Sequence, residues 1–241
     1  MNPEQKRALI LDVVILLPAD VRQRAIECSS ALATLMDDDG ARACFRLGAG
    51  FPGETEGSCE PHVSLFMLTV DEDEIDQVRT ALDDVVPALA AFAAEATEYR
   101  FNREGAPELF YRRSDPWRRT QAAVIEAVEP LRRGRLRDHG PGGEVLADVV
   151  ADGRPDDPAL VRQLLRYGYD AVSDDHDDRF DPHVTLTWPR DEAFRVDLSA
   201  LPRPSAFDGT VGEIGLYEMS PNGTCTRCRG TWALGAHAAA T

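Results

Sequence analysis

The sequence predicts an α+β fold. Strand-like and helix-like stretches are mixed along the 241 residues, and two pairs of strands read as hairpins, which favours this class over a doubly wound parallel sheet. Apolar residues make up 43%, enough for a folded core and too many for a disordered chain.

The elements follow in order. Leu9–Leu17 is rich in Val, Ile and Leu and stops at Pro18, so it reads as a buried strand. Residues 19–36 carry Val21, Ala25, Ile26, Leu32 and Leu35 near helical spacing, and Asp37-Asp38-Asp39-Gly40 ends that helix. Arg42–Leu47 reads as a short strand, residues 48–60 as a Gly- and Pro-rich loop, and Pro61–Val70 as a strand. Asp71 caps an expected helix of about 20 residues, with Ile75, Val78, Leu82, Val85, Leu89 and Phe92 on its inner face. Thr97–Asn102 and Glu108–Arg113 form the first expected hairpin. Ser114 or Asp115 caps a helix with Pro116 at its first position, running to about Leu131. Residues 133–157 are mostly Gly, Pro, Asp and Arg and read as a flexible segment. A helix over 158–170 and a strand over Phe180–Trp188 come next. Phe207–Met219 and Thr226–Leu234 read as strands joined by the turn Ser220-Pro221-Asn222-Gly223, and Gly235–Thr241 as a frayed tail.

Charge narrows the ligand. There are 26 basic against 42 acidic residues, a net of −16, and such a field repels a long polyanion. A small ligand is expected, and no long nucleic acid. Nearly every basic residue is arginine, Lys6 being the only lysine; guanidinium forks suit phosphate, but a GC-rich genome produces the same bias. Five scattered cysteines, Cys28, Cys44, Cys59, Cys225 and Cys228, fit a reducing compartment better than a disulfide framework. The apolar run at Leu9–Leu17 is short and broken by Asp12, so no membrane span is expected and the protein reads as cytoplasmic.

An internal repeat carries the chemistry. Residues 60–65 read Glu-Pro-His-Val-Ser-Leu, and residues 181–186 read Asp-Pro-His-Val-Thr-Leu. Side chains alternate faces along a strand, so His62 and Ser64 share a face about 7 Å apart, as do His183 and Thr185. By the same alternation Phe66 joins His62, where it packs or stacks on a base, while Val63, Leu65 and Met67 point into the core. Thr187 joins His183, while Val184, Leu186 and Trp188 take the other face. Two imidazoles and two hydroxyls around one point suit a phosphodiester. One neutral His accepts a proton, one protonated His donates one, and hydroxyls hold the non-bridging oxygens. No metal or cofactor is needed.

The paired His-Val-Ser and His-Val-Thr motifs, each on a strand in its own half of the chain, resemble those of the 2H phosphoesterase superfamily. That group includes 2′-5′ RNA ligase-like proteins and cyclic nucleotide phosphodiesterases. Ile214-Gly215-Leu216-Tyr217 is similar to the strand that follows the second motif there. The resemblance implies a bilobal α+β fold, two antiparallel sheets with flanking helices, and a pseudo-twofold duplication around a central groove. It implies 2′,3′-cyclic or 2′-5′ phosphodiester chemistry, with His62 and His183 catalytic and Ser64 and Thr185 binding phosphate. The chain is read as one domain over 1–241, its first half about 1–105, its second about 106–235, and 236–241 a tail. A monomer acting on a nucleotide-like phosphodiester or short RNA end is expected. The alternatives are a 2′-5′ RNA ligase or specialised pathway enzyme with the same histidines, and a non-catalytic module that binds a cyclic nucleotide.

Other signals are weaker. Cys225-Thr-Arg-Cys228 has half a zinc site's spacing but no second pair. Asp174-Asp175-His176-Asp177-Asp178 lacks the glycine of a calcium loop and reads as solvated. His139 and His237 read as surface residues, and Cys59 sits just before the first motif. Arg46, Tyr111 and Arg112 lie on expected strands from which a phosphate or base could be reached.

Overall fold

The computed structural model describes residues 8–140, 143–154 and 156–235. The expected tail 236–241, with His237, lies outside them, as do residues 141, 142 and 155 of the expected flexible segment. The fold is α+β. Its main sheet has the order β2-β1-β8-β9 and is antiparallel throughout: β1 is Ala8–Leu16, β2 His62–Asp71, β8 Glu213–Ser220 and β9 Thr224–Ala233. A second sheet has the order β4-β5-β6, from Ala96–Phe101, Pro107–Tyr111 and His183–Thr185, again antiparallel. A third, small sheet pairs β3, Phe92–Ala94, with β7, Gly209–Val211. Strands from both ends of the chain therefore share the main sheet.

Helices flank the sheets: α1 is Ala19–Asp38, α2 Ile75–Val85, α3 Asp115–Val128, α4 Leu146–Asp152 and α5 Pro158–Tyr167. The core runs between them and the sheets, through Leu11, Val13 and Ile15 of β1, Leu65, Phe66 and Leu68 of β2, Leu32 and Met36 of α1, and Trp117 of α3. Trp117 packs edge-on against Phe92 and Phe180. Among the described residues no helix is long and apolar enough to cross a membrane.

Several expectations are corrected. The helix after Asp71 is 11 residues long, because Pro87 cannot continue it and tightens the next turn to a 3-10 helix, Val86–Ala88. Leu89 and Phe92 therefore leave that helix, and Phe92 starts a strand. Arg42–Leu47 is not a regular strand; it meets residues after the second motif through one bridge, Ala43 to Pro189, and a bond from the Cys44 amide to the Trp188 carbonyl. The strand expected over Phe180–Trp188 shortens to His183–Thr185, since the chain beyond it turns to meet that irregular segment. Thr187 turns inward, its hydroxyl donating to the Phe45 carbonyl at 2.8 Å. Phe207–Met219 is divided between β7 and β8, which belong to different sheets. Residues 133–157 are not simply a flexible segment: they hold α4, whose Leu146 and Val149 pack on Leu164 of α5.

The register of β1 against β2 skips a residue. Val13 lies opposite Phe66 but Val14 lies opposite Ser64, so Leu65 is the extra residue of a bulge. A bulge of this kind shifts the alternation by one. Phe66 thus goes into the core, fully buried and edge-on to Tyr169. Met67 takes the face of His62 and Ser64, opposite to the simple alternation, and Phe66 offers no stacking surface there.

Candidate active site

The two motif strands are edge strands of different sheets, β2 of the main sheet and β6 of the second, and they lie against each other. Gln121 of α3, fully buried, ties the region together. Its amide donates to the carbonyls of Leu65 and Ala171 at 3.0 and 2.8 Å, and its carbonyl accepts from the Ser173 amide at 3.0 Å.

Each copy of the repeat is built in the same way. The acidic residue that opens it is pinned by arginine: Glu60 by Arg22, with one bond at 2.7 Å, and Asp181 by Arg100 and Arg113 at 2.7 and 3.3 Å. The carbonyl of that residue then accepts from the histidine Nδ1, at 2.6 Å from Glu60 to His62 and 2.7 Å from Asp181 to His183. A carbonyl only accepts, so Nδ1 carries the hydrogen in both neutral rings and Nε2 keeps its lone pair. The proline between acid and histidine fixes its own φ.

A carboxylate from the neighbouring strand completes each copy. Asp12 of β1 accepts the Ser64 hydroxyl at 2.6 Å and lies 3.9 Å from His62 Nε2. Glu108 of β5 accepts the Thr185 hydroxyl at 3.4 Å and lies 3.7 Å from His183 Nε2. Asn102 also donates to Glu108, at 3.0 Å. Both carboxylates are buried. Burial pushes Asp12 up to about 7, against the hydrogen bond from Ser64 and the charge of Arg137. Burial likewise raises Glu108 above the usual carboxylate range, partly offset by the charge of His183. His62 is held below the ordinary histidine value, by burial first and by the charge of His183 as well, against the Glu60 carbonyl. The two imidazoles are thus near enough for one proton to disfavour another. They differ in exposure, 11% for the His62 side chain and 35% for His183.

Sequence reasoning missed Asp12 and Glu108 as parts of the site. For Asp12 the available signal was a charge inside an apolar strand rich in Leu, Ile and Val; for Glu108 it was a charge within the short apolar strand Pro107–Tyr111. It also missed the lining of the first copy. Arg137 is buried, places its guanidinium 3.0 Å from the Met67 sulfur and faces the Tyr169 ring. Gly215 leaves room for the Tyr217 ring, since a Cβ there would stand 2.6 Å from it.

The remaining candidates lie elsewhere. Arg46 pairs with Asp37, Arg112 with Glu95, and the buried Tyr111 hydroxyl donates to the Phe207 carbonyl. Cys59 is buried, its thiol pushed up to about 11 by burial. Cys225 is buried and Cys228 exposed, so the pair does not form one ligand set. The acidic cluster is neutralised by arginine: Asp178 meets Arg113 and Arg118, Asp177 meets Arg162, and Asp174 meets Arg166. His139 and His176 are exposed. The described residues contain one set with metal-ligand chemistry, Asp12, His62 and Cys225, whose donor atoms lie within 4.8 Å of one another.

Solved structures share this arrangement of sheets and helices. E. coli LigT complexed with ATP aligns over 95% of this chain and 98% of its own, at 14% identity and a TM-score of 0.50. TT0787 of Thermus thermophilus aligns over 95% and 100%, at 15% identity and a TM-score of 0.57. The fold is that of LigT. A structure described as a phosphoesterase aligns over 95% and 99%, at 14% identity and a TM-score of 0.51. The LigT-like architecture agrees with the fold that the 2H resemblance implies. No protein-family model and no curated protein matches the sequence.

Proposed function

We propose that this protein is a 2H-type phosphodiesterase that hydrolyses a 2′,3′-cyclic phosphate, or a short 2′-5′ linkage, of a nucleotide or RNA end without a metal. One observation carries the reading: the repeat is duplicated in space as well as in sequence, each imidazole having its Nδ1 tied to a carbonyl and a carboxylate-bound hydroxyl beside it. The ATP held by LigT supports a nucleotide-like ligand.

In this mechanism His62 is the base, because its surroundings favour the neutral ring. Its Nε2 takes a proton from water as the water oxygen bonds to phosphorus. The bond from phosphorus to one ribose oxygen breaks, and that oxygen receives a proton from His183 Nε2. The product is a nucleoside monophosphate, and solvent restores both rings. Ser64 and Thr185 hold the non-bridging oxygens. For that they must turn their hydroxyl hydrogens away from Asp12 and Glu108. Burial favours the protonated form of both carboxyls, pushing Asp12 up to about 7, and a protonated carboxyl makes the turn easier, since it then donates to the hydroxyl oxygen instead. Asp12 and Glu108 are in this way positioning residues. With a 5′-hydroxyl in place of water as the nucleophile, the same pair would open the cyclic phosphate by breaking its bond to the 3′ oxygen, which takes the proton from the second histidine, and leave a 2′-5′ linkage, which is the ligase alternative.

The test is a panel of 2′,3′-cyclic nucleotides and short 2′-5′ oligomers followed by phosphorus NMR, with the His62→Ala/His183→Ala double variant as control. Conversion by the wild type in EDTA, and none by the double variant, is expected. Recovery of every substrate unchanged would identify a binding module instead.

A further inference from the structure

Among the described residues, only the first copy of the repeat gains a third side chain of metal-ligand type. Cys225 of β9 reaches across β8 to β1, and its sulfur lies 3.8 Å from Asp12 Oδ2, which is in turn 3.9 Å from His62 Nε2. We propose that Asp12, His62 and Cys225 form a site for a thiophilic divalent cation such as zinc, and that its occupation switches the phosphodiesterase off by taking the Nε2 lone pair. The inhibitory part rests on the reading above; the binding part does not.

The donor set suits the ion. Nitrogen, sulfur and carboxylate oxygen are the ligands zinc takes, at about 2.0–2.3 Å. In a tetrahedron such donors stand roughly 3.3–3.8 Å apart, so the two edges of 3.8 and 3.9 Å need close only slightly. The longest edge of the triangle is within 4.8 Å. Cobalt, with the same preferences, is the spectroscopic probe. The fourth position is left for water or a phosphate oxygen.

The surroundings are those of a held ligand set. His62 donates from Nδ1 to the Glu60 carbonyl, which fixes the ring with Nε2 free. The Glu60 amide bonds the Cys225 carbonyl at 2.9 Å, so the loop that orients the histidine also anchors the cysteine strand. Asp12 Oδ2, the oxygen nearest His62 Nε2 and Cys225 Sγ, accepts one hydrogen bond, from Ser64, and keeps a second lone pair for an ion. Oδ1 is buried with no hydrogen-bond partner, so the carboxylate as a whole is under-satisfied, and a bound ion offsets part of that cost. Arg137, whose charge reaches Asp12, is itself paired with Asp170 at 3.5 Å. Binding replaces the thiol proton of Cys225 and, where Asp12 is protonated, its carboxyl proton as well, and both go to solvent. The divalent ion with one carboxylate and one thiolate is neutral, the charge state a buried site tolerates best.

The experiment uses the metal-free full chain. Addition of cobalt(II) is expected to give one ion per chain, with a thiolate-to-cobalt charge-transfer band and the intense visible bands of tetrahedral cobalt, all bleached by zinc. Cys225→Val is expected to abolish the charge-transfer band and weaken binding by more than about tenfold, with turnover in EDTA unchanged. Zinc then inhibits the wild type and spares the variant. Cys225→Ser, closer in size and polarity, serves if the valine variant does not fold, and must lose the same band. Absence of the band in the wild type, or equal cobalt binding by wild type and Cys225 variants, would overturn the proposal. A cobalt site in a protein that hydrolyses nothing in the panel would leave the metal site standing and remove the catalytic reading.

Discussion

At the scale of single residues, the proposed site is two imidazoles made unequal by their surroundings. Alanine at either His62 or His183 is expected to lower kcat by about 10²–10⁴ with the thermal unfolding profile retained, as steady-state kinetics beside circular dichroism will show. The losses should not multiply in the double variant, since the two groups act in one step. Asp12 makes a stability prediction. Its carboxyl titrates near 7 when folded against an ordinary 3.8, so the folded protein holds that proton more tightly than the unfolded chain. The contribution is fully present below about 4 and is lost as pH rises towards 7, by roughly 1.4 kcal/mol per pH unit within the window. Asp12→Asn cannot ionise. Its Tm relative to wild type should therefore be higher at pH 8 than at pH 5, and a difference that does not change with pH would refute the assignment. The candidate histidines and hydroxyls could be singled out in the sequence because the repeat names them twice. Asp12 was visible only as a charge within an apolar strand. What it touches depends on pairing with β2 and on Cys225 in β9, contacts between residues far apart in the chain.

At the scale of elements, the placement of the motif strands depends on pairing that local sequence does not encode. The strand over Pro61–Val70 and the hairpin at Thr97–Arg113 were readable from alternation and turn residues. The bulge at Leu65 was not, because a bulge is a property of two strands in register and nothing in His-Val-Ser-Leu-Phe-Met announces it. That one residue reverses the fates of Phe66 and Met67. In the same way α4 was hidden by the Gly- and Pro-rich composition around it, while periodicity carried α2 past the Pro87 that ends it. Gln121 shows how α3 holds β2 in place. Gln121→Leu leaves the Leu65 and Ala171 carbonyls and the Ser173 amide without their side-chain partner, and buried groups of this kind cost about 1–3 kcal/mol each when unpaired. Two of the three bonds are only part-buried, so a loss of roughly 2–5 kcal/mol in urea unfolding, below the full sum, is expected, together with a lower kcat as the first motif shifts. An unchanged urea midpoint would mean that the amide is not what ties these segments together.

At the scale of the whole molecule, charge and topology act together. A net of −16 opposes the approach of any anionic substrate, and added salt screens that repulsion. For a short 2′-5′ oligomer, kcat/KM should therefore rise between low and moderate ionic strength, and more steeply as the oligomer lengthens. A fall with salt would point to a local basic surface that overrides the net field. Topology brings the two motifs together by setting the free edge of a four-stranded sheet against the free edge of a three-stranded one. The sequence alone indicated an α+β chain with a duplicated motif. That strands from both ends of the chain build the first motif's sheet follows from long-range packing. The central claim is that His62 and His183 grip one phosphate from opposite sides. A crystal structure with a bound nucleoside 2′-monophosphate tests it most directly. The expected result is a phosphate whose oxygens lie within hydrogen-bond reach of both Nε2 atoms and of the Ser64 and Thr185 hydroxyls. A phosphate bound away from that pair, or touching only one imidazole, would contradict it.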